Sequence, residues 1–322
     1  MTTLKRVERA DVFAPARLHL GFLDLNGNLG RKFGSIGLAI EGIGTHLVLA
    51  RSAALVADGP NSARAMAYLD QAAKALNLSA EGKLSILRAI PEHVGLGSGT
   101  QLGIATAAAL ARLHGIELDA TSLAKAVGRG QRSGIGIGAF EQGGFLVDGG
   151  RSSDGVAPII ARLEFPSAWR ILLIFDRGLS GLHGETETKA FRQLPPLDED
   201  IVGRLCRLLV MQLLPGLATQ EFAAVSHAIT EIQERIGDYF AAAQGGRYAS
   251  PAVAGILGWL RGQGITGIGQ TSWGPTGFAL IDSTVRAGEV ETSLRRQFGD
   301  DAEIDFVVVA GRNRGADITI GT

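Results

Sequence analysis

The sequence predicts an α+β fold in two domains, on three observations. The chain has 322 residues, 46% of them hydrophobic, more than one core of ordinary size accommodates. Strand-like and helix-like segments are mixed along the chain, which suits helices packed on antiparallel or mixed sheets. The pattern restarts near Phe165-Pro166, which divides the chain into 1–165 and 166–322.

The elements follow in order. Val7 to His19 alternates as a strand does, and Ser35 to Ala50 is a second β-rich stretch. Ala65, Leu69, Ala72, Ala73 and Leu76 recur at helical spacing over 62–76. Leu84 to Ile90 reads as a strand that enters the turn PEHVGLGSGT, residues 91–100. Gln101 to His114 is alanine-rich and free of proline, so it is a helix that the turn feeds directly. Thr121 to Arg129 reads as a further helix capped by Thr121, and Ala139 to Val147 as a strand after alternating glycines. Beyond residue 165 the pattern gives a strand over Trp169 to Phe175 and helices near 198–214, 219–243, 251–263 and 284–297. Strands near 265–269, 276–282 and 304–309 complete the second half.

Composition narrows the function. Charged residues make up 20% of the chain and the net charge is -1, so no overall field draws it to nucleic acid or anionic lipid. Cys206 is the only cysteine, which excludes an internal disulfide or a site of several thiolates and fits the cytoplasm. The N-terminus lacks an apolar stretch behind its positive charges, and no run of about 18 uninterrupted apolar residues occurs, so neither a secretory signal nor a membrane-spanning helix is expected. His46, His93, His114 and His227 lack metal-ligand spacing.

The 45 glycines are about twice the average usage of roughly 7% and sit in short clusters between apolar segments. The cluster Gly95-Leu-Gly-Ser-Gly-Thr100 precedes a helix, whose N-terminal N–H groups and partial positive charge suit an anion. Ser98 and Thr100 add hydroxyls that donate to phosphate oxygens or ligate a divalent cation. Neither the Walker lysine nor the Rossmann glycine spacing is present. The bland reading is an ordinary structural turn.

Three segments carry a family resemblance. The turn Pro91-Glu-His-Val-Gly-Leu-Gly-Ser-Gly99 resembles the phosphate loop of the GHMP kinase superfamily, and 15–25 (PARLHLGFLDL) and 269–278 (GQTSWGPTGF) stand where that superfamily keeps its other motifs. Within it, RLHLGFLDLNGNLGRKFGSIGLAI, GRGQRSGIGIGAFEQGGFLVDGG and GQTSWGPTGFAL resemble the β-ribofuranosylaminobenzene 5'-phosphate synthases over nearly the whole chain. The resemblance implies a first domain like ribosomal protein S5 domain 2, a ferredoxin-like second domain, and a homodimer. It also implies condensation of phosphoribosyl pyrophosphate with 4-aminobenzoate, releasing CO2 and pyrophosphate, in tetrahydromethanopterin biosynthesis. Two departures from the kinases support this choice: Gly99 replaces a second serine, and 133–139 offers no carboxylate as a base.

Site roles follow from the resemblance. Gly95, Gly97, Ser98, Gly99 and Thr100 would bind the pyrophosphate or the 5'-phosphate, with Arg17, Arg129 and Arg132 as guanidinium clamps. Asp24 would ligate Mg2+ with Ser98 or face the ribosyl cation, or else only open the Asn26-Gly27 turn. Glu141 is the second carboxylate candidate. His19 is either a site residue or a core histidine. His183 and Glu187 lie in another glycine-rich turn, and Gln270, Ser272, Trp273 and Thr276 would close the site, Trp273 by packing or by stacking on the arene. The arene itself, 4-aminobenzoate or 4-hydroxybenzoate, stays open. An ATP-dependent kinase of the same superfamily and a non-catalytic phosphometabolite sensor are the competing functions.

Overall fold

A computed structural model describes residues 6–152, 155–181, 189, 191–299 and 301–322. The first sheet contains β1 (Arg9–Phe22), β2 (Ser35–Ala50), β3 (Val56–Asp58), β4 (Lys83–Arg88), β5 (Phe145–Asp148), β6 (Ile159–Leu163) and β11 (Asp317–Gly321). Its main path runs β11-β1-β2-β4-β3, and β5 joins the Ser35 end of β2 and carries β6. Helices α1 (Ser62–Leu76), α2 (Ser98–Leu113), α3 (Ala120–Ala126) and α4 (Ile135–Glu141) belong to this half. The expected division at 165 separates the two sheets except for β11, which returns to pair with β1.

The second sheet has β7 (Arg170–Asp176), β8 (Ile268–Gln270), β9 (Gly277–Ile281) and β10 (Ile304–Val309) in the order β10-β7-β9-β8, all antiparallel. With helices between β7 and β8 and between β9 and β10, this is the split βαβ order of a ferredoxin-like domain. Those helices are α5 (Glu199–Ala218), α6 (Phe222–Gln244), α7 (Pro251–Gly262) and α8 (Thr284–Phe298). Successive residues of β7 face opposite sides, as the pleat requires. Leu172 and Ile174 pack under α7 and α8, while Ile171 and Leu173 enter a central core shared with Leu18, Leu20 and Phe145 of the first half.

Helix α5 contains a π turn at Leu209–Leu213. Among the described residues it is the one helix long and apolar enough to cross a membrane. Its Leu205, Leu208, Leu209, Leu213 and Leu217 are buried in the central core.

Two expectations differ from the structure. Residues 139–147 do not form one strand: Ile135–Glu141 is helix α4, and the strand is confined to Phe145–Asp148. Helix α3 is capped by the Asp119 carboxylate, which accepts from Ser122 N–H, and not by Thr121.

An irregularity in the pairing of β1 with β2 shapes the site. Ala10, Val12 and Ala14 pack beneath α1 and α2, yet Ala16, Leu18 and Leu20 enter the central core. The register against β2 shifts between Pro15 and Arg17, where one residue of β1 stands opposite four of β2, residues 40–43, and the two faces of β1 exchange across this irregularity. Arg17 and His19 are thereby turned to the side on which α2 begins.

Candidate active site

A cavity of about 880 Å³ lies where β1, the start of α2, the turn before α4 and the loop after β8 meet. Strand β1 supplies Arg17, His19 and Phe22, the first turn of α2 supplies Thr100, and the loop after β8 supplies Ser272 and Trp273. Gly128 through Ser133 form another wall, and Lys189 and Arg192 stand at a further side. The charged lining residues are Arg17, Arg129, Arg132, Lys189 and Arg192. Among the described residues no carboxylate lines the cavity.

Helix α2 begins at Ser98, three residues before the alanine-rich run, with Gly97 as a left-handed N-cap that has no side-chain acceptor. No acidic residue stands in its first turn, so the positive end of the helix is not offset locally. Gly95 has φ +87°, and a Cβ there would overlap the Thr271 carbonyl oxygen. The close approach fixes the turn against the loop after β8: the Gly95 carbonyl accepts from Thr271 Oγ1 at 2.9 Å and from Arg17 Nη1 at 2.5 Å. The Arg17 guanidinium is thus held beside Gly97, 3.3 Å from where a Cβ would stand.

At Gly99 the missing side chain leaves room for two cations. A Cβ would overlap Arg64 Nη2 and would lie 3.2 Å from Arg129 Nη2. Arg129 stacks on the Tyr68 ring at 5.2 Å and donates to its hydroxyl. Burial, and then the neighbouring Arg64 charge, pull the Arg129 guanidinium below its ordinary pKa. Arg132 lies 5.3 Å over the Phe191 ring. The arginine turn is tied down by Asp148, which is fully buried and accepts from Ser35 N–H, Ser35 Oγ, Ser133 Oγ, Gly134 N–H and Gly150 N–H at 2.5–3.1 Å.

Aromatic rings line the cavity as well. Trp273 packs on Phe240 at 4.5 Å and Phe191 at 4.9 Å, and His19 lies 4.6 Å from Phe22. Burial, reinforced by the Arg17 charge, lowers the His19 pKa to about 3, so the imidazole is neutral at physiological pH.

Arg17, His19, Thr100, Arg129, Arg132, Ser272 and Trp273 are therefore brought together, with Gly95, Gly97, Ser98 and Gly99 forming the turn behind them. Two carboxylates are not. Asp24 Oδ1 accepts from Asn26 and Gly27 N–H at 2.8 and 2.9 Å, the turn-opening role, and Asp24 does not line the cavity. Glu141 is exposed at the end of α4, away from the cavity lining. Thr276 is buried and does not line the cavity either. Gln270 is committed to Ala249 N–H, Gln244 Oε1 and the Ser272 carbonyl, although it borders a side cleft. His183 and Glu187 lie outside the described residues. Reasoning from sequence missed Phe22, Arg64, Ser133, Lys189 and Arg192. Phe22 and Ser133 sat inside recognised motifs.

A magnesium site built on Asp24 and Ser98 does not fit this arrangement. The Asp24 carboxylate is engaged in its own turn, guanidinium groups fill the space at Gly99, and no group of three or more potential ligands occurs among the described residues.

Residues 62–144 match the family described as GHMP kinases N terminal domain, and 213–300 match GHMP kinases C terminal. The beta-ribofuranosylphenol 5'-phosphate synthase of Archaeoglobus fulgidus is 33% identical over 320 residues, covering 95% of this chain and 98% of that protein. The protein of that name from Methanothermobacter thermautotrophicus is 31% identical, over 94% and 96% of the two chains. Among solved structures, homoserine kinase from Cytophaga hutchinsonii superposes with a TM-score of 0.65 at 18% identity, covering 99% of each chain. Mevalonate diphosphate decarboxylase from Staphylococcus aureus does so with 0.66 at 14% identity, covering 97% and 98%. At these identities the structural likeness speaks for the fold.

Proposed function

Because this chain belongs to the family of β-ribofuranosylphenol 5'-phosphate synthases built on GHMP kinase domains, we propose that it joins phosphoribosyl pyrophosphate to 4-hydroxybenzoate, releasing CO2 and pyrophosphate. The relatives are named for a phenol, which favours the hydroxy acid over 4-aminobenzoate. The reaction belongs to tetrahydromethanopterin biosynthesis on this reading, and the enzyme to the cytoplasm.

The observation that carries the proposal is the mixed lining of the cavity, several cations together with the aromatic rings of Phe22 and Trp273. Breaking the anomeric C–O bond leaves its electron pair on pyrophosphate, and the arginines and the start of α2 stabilise the charge that develops there. Arg17 is pre-oriented by the Gly95 carbonyl, so little reorganisation is needed at that step. The ring carbon bearing the carboxylate attacks the anomeric carbon, and the para hydroxyl releases electrons into the ring. Loss of CO2 returns the C–C bonding pair and restores aromaticity, with no net proton change. No carboxylate base is required for this sequence, in keeping with a lining that is positively charged among the described residues. Magnesium, where it takes part, is proposed to arrive on the diphosphate and not on a protein carboxylate.

The test is pyrophosphate formation assayed with each substrate alone and with both. We expect release only when phosphoribosyl pyrophosphate and 4-hydroxybenzoate are present together, and no consumption of ATP. Turnover of ATP with small alcohols while phosphoribosyl pyrophosphate stays intact would make the chain a kinase.

A further inference from the structure

At the aromatic end the cavity continues into a side cleft of about 20 Å³, bordered by His19, Phe22, Gly237, Phe240, Gln270 and Trp273. That volume is enough for one water-sized group. Polar atoms around the cleft are few, and most are committed. Gln233 donates to the Leu20 carbonyl and accepts from Gln270 N–H, and the Gln270 amide is satisfied on both sides by Ala249, Gln244 and Ser272. Among the described residues, two buried atoms bordering the cleft lack a hydrogen-bond partner: His19 Nε2 and Trp273 Nε1. Both residues are about 4% exposed, so neither atom is compensated by bulk water, and buried polar groups of this kind ordinarily have partners.

We propose that this cleft is the para-substituent pocket for the arene and that it reads a hydroxyl against an amine, an inference that rests on the function given above. The indole N–H is only a donor, and the neutral imidazole accepts at Nε2 in its Nδ1–H tautomer. A phenolic hydroxyl donates once and accepts once, so it satisfies both atoms. An arylamine has two N–H donors and a lone pair delocalised into the ring. It leaves the indole N–H unpaired. The selectivity is therefore set by Trp273 more than by His19, since either substituent can donate to the imidazole.

Calorimetric titration with 4-hydroxybenzoate, 4-aminobenzoate and benzoate tests this on the unaltered protein, beside pyrophosphate release from the two substituted acids. We expect 4-hydroxybenzoate to bind roughly tenfold or more tightly than either analogue, the ratio implied by leaving a buried donor unpaired. Trp273→Phe should bring the hydroxy and amino acids within about twofold of each other, with the KM for phosphoribosyl pyrophosphate unchanged. Equal binding of the three acids by the unaltered protein would overturn the pocket even if Trp273→Phe failed to fold. So would an unchanged preference in a folded Trp273→Phe. Clear discrimination in binding without pyrophosphate release would leave the pocket standing and remove the function. Release with equal kcat/KM for both acids would do the reverse.

Discussion

His19 reaches the cavity with its imidazole already neutral, because burial and the Arg17 charge hold its pKa near 3 against an ordinary 6.5. A histidine whose folded pKa lies below its unfolded value binds protons preferentially when unfolded. The stability it contributes is complete above about pH 6.5 and is lost as pH falls from there toward 3. Between pH 7 and pH 5 the loss should be about 2 kcal/mol. Denaturant titrations at the two pH values measure it, and His19→Phe should remove most of the difference. The glycines of the turn separate in the same residue-level way. Gly95→Ala meets the Thr271 carbonyl at a positive φ and should destabilise by roughly 3 kcal/mol. Gly99→Ala meets the flexible end of Arg64, so stability should change by less than about 1 kcal/mol while the KM for phosphoribosyl pyrophosphate rises severalfold. Equal stability losses in the two variants, read by denaturation, would deny that Gly99 serves the cations.

At the scale of elements, the cationic wall depends on how the turn before α4 is anchored to β5. Asp148 satisfies five donors there without exposure. Asp148→Ala leaves the buried Ser35, Gly134 and Gly150 N–H groups without this acceptor, while the Ser35 and Ser133 hydroxyls keep each other at 2.7 Å, which should cost roughly 3 to 5 kcal/mol and raise the KM for phosphoribosyl pyrophosphate. Normal stability with normal kinetics would show that the wall is held by other contacts. Sequence carried some elements cleanly: the helix Ser62–Leu76 and the strand Ser35–Ala50 have the bounds their patterns gave. It misled at α4, where Gly134, Gly136 and Gly138 weaken the helical signal and leave Ala139 as the expected start of a strand. Those glycines instead let α4 approach Ala157, Thr100 and Ile159 closely, a tertiary requirement that a local pattern does not encode. Strands β3, β6 and β11 went unmarked for a similar reason. The last of them acquires its place only by pairing with β1, some 300 residues away.

Over the whole molecule, the cavity collects side chains from position 17 to position 273, so its composition is a property of the assembled fold. Arg17, His19, Thr100 and Arg129 were legible because they lie on motifs. Arg64, Lys189 and Arg192 were not, since a lone cation on a helix or loop looks like surface charge until neighbours converge on it. Asp24 and Glu141 stood close to motifs in sequence and away from the cavity in space. Return of the chain's end to the first sheet is fixed by the buried Arg312, which pairs with the partly exposed Glu41 and Asp317, each at 2.8 Å. What the assembled cavity is held to accomplish is exchange of pyrophosphate for an arene at an anomeric carbon, coupled to loss of the arene's carboxyl group. Incubation with carboxyl-labelled 4-hydroxybenzoate and phosphoribosyl pyrophosphate measures that directly. The account predicts one labelled CO2 for each pyrophosphate formed, and label that remains on the aromatic acid while pyrophosphate accumulates would contradict it.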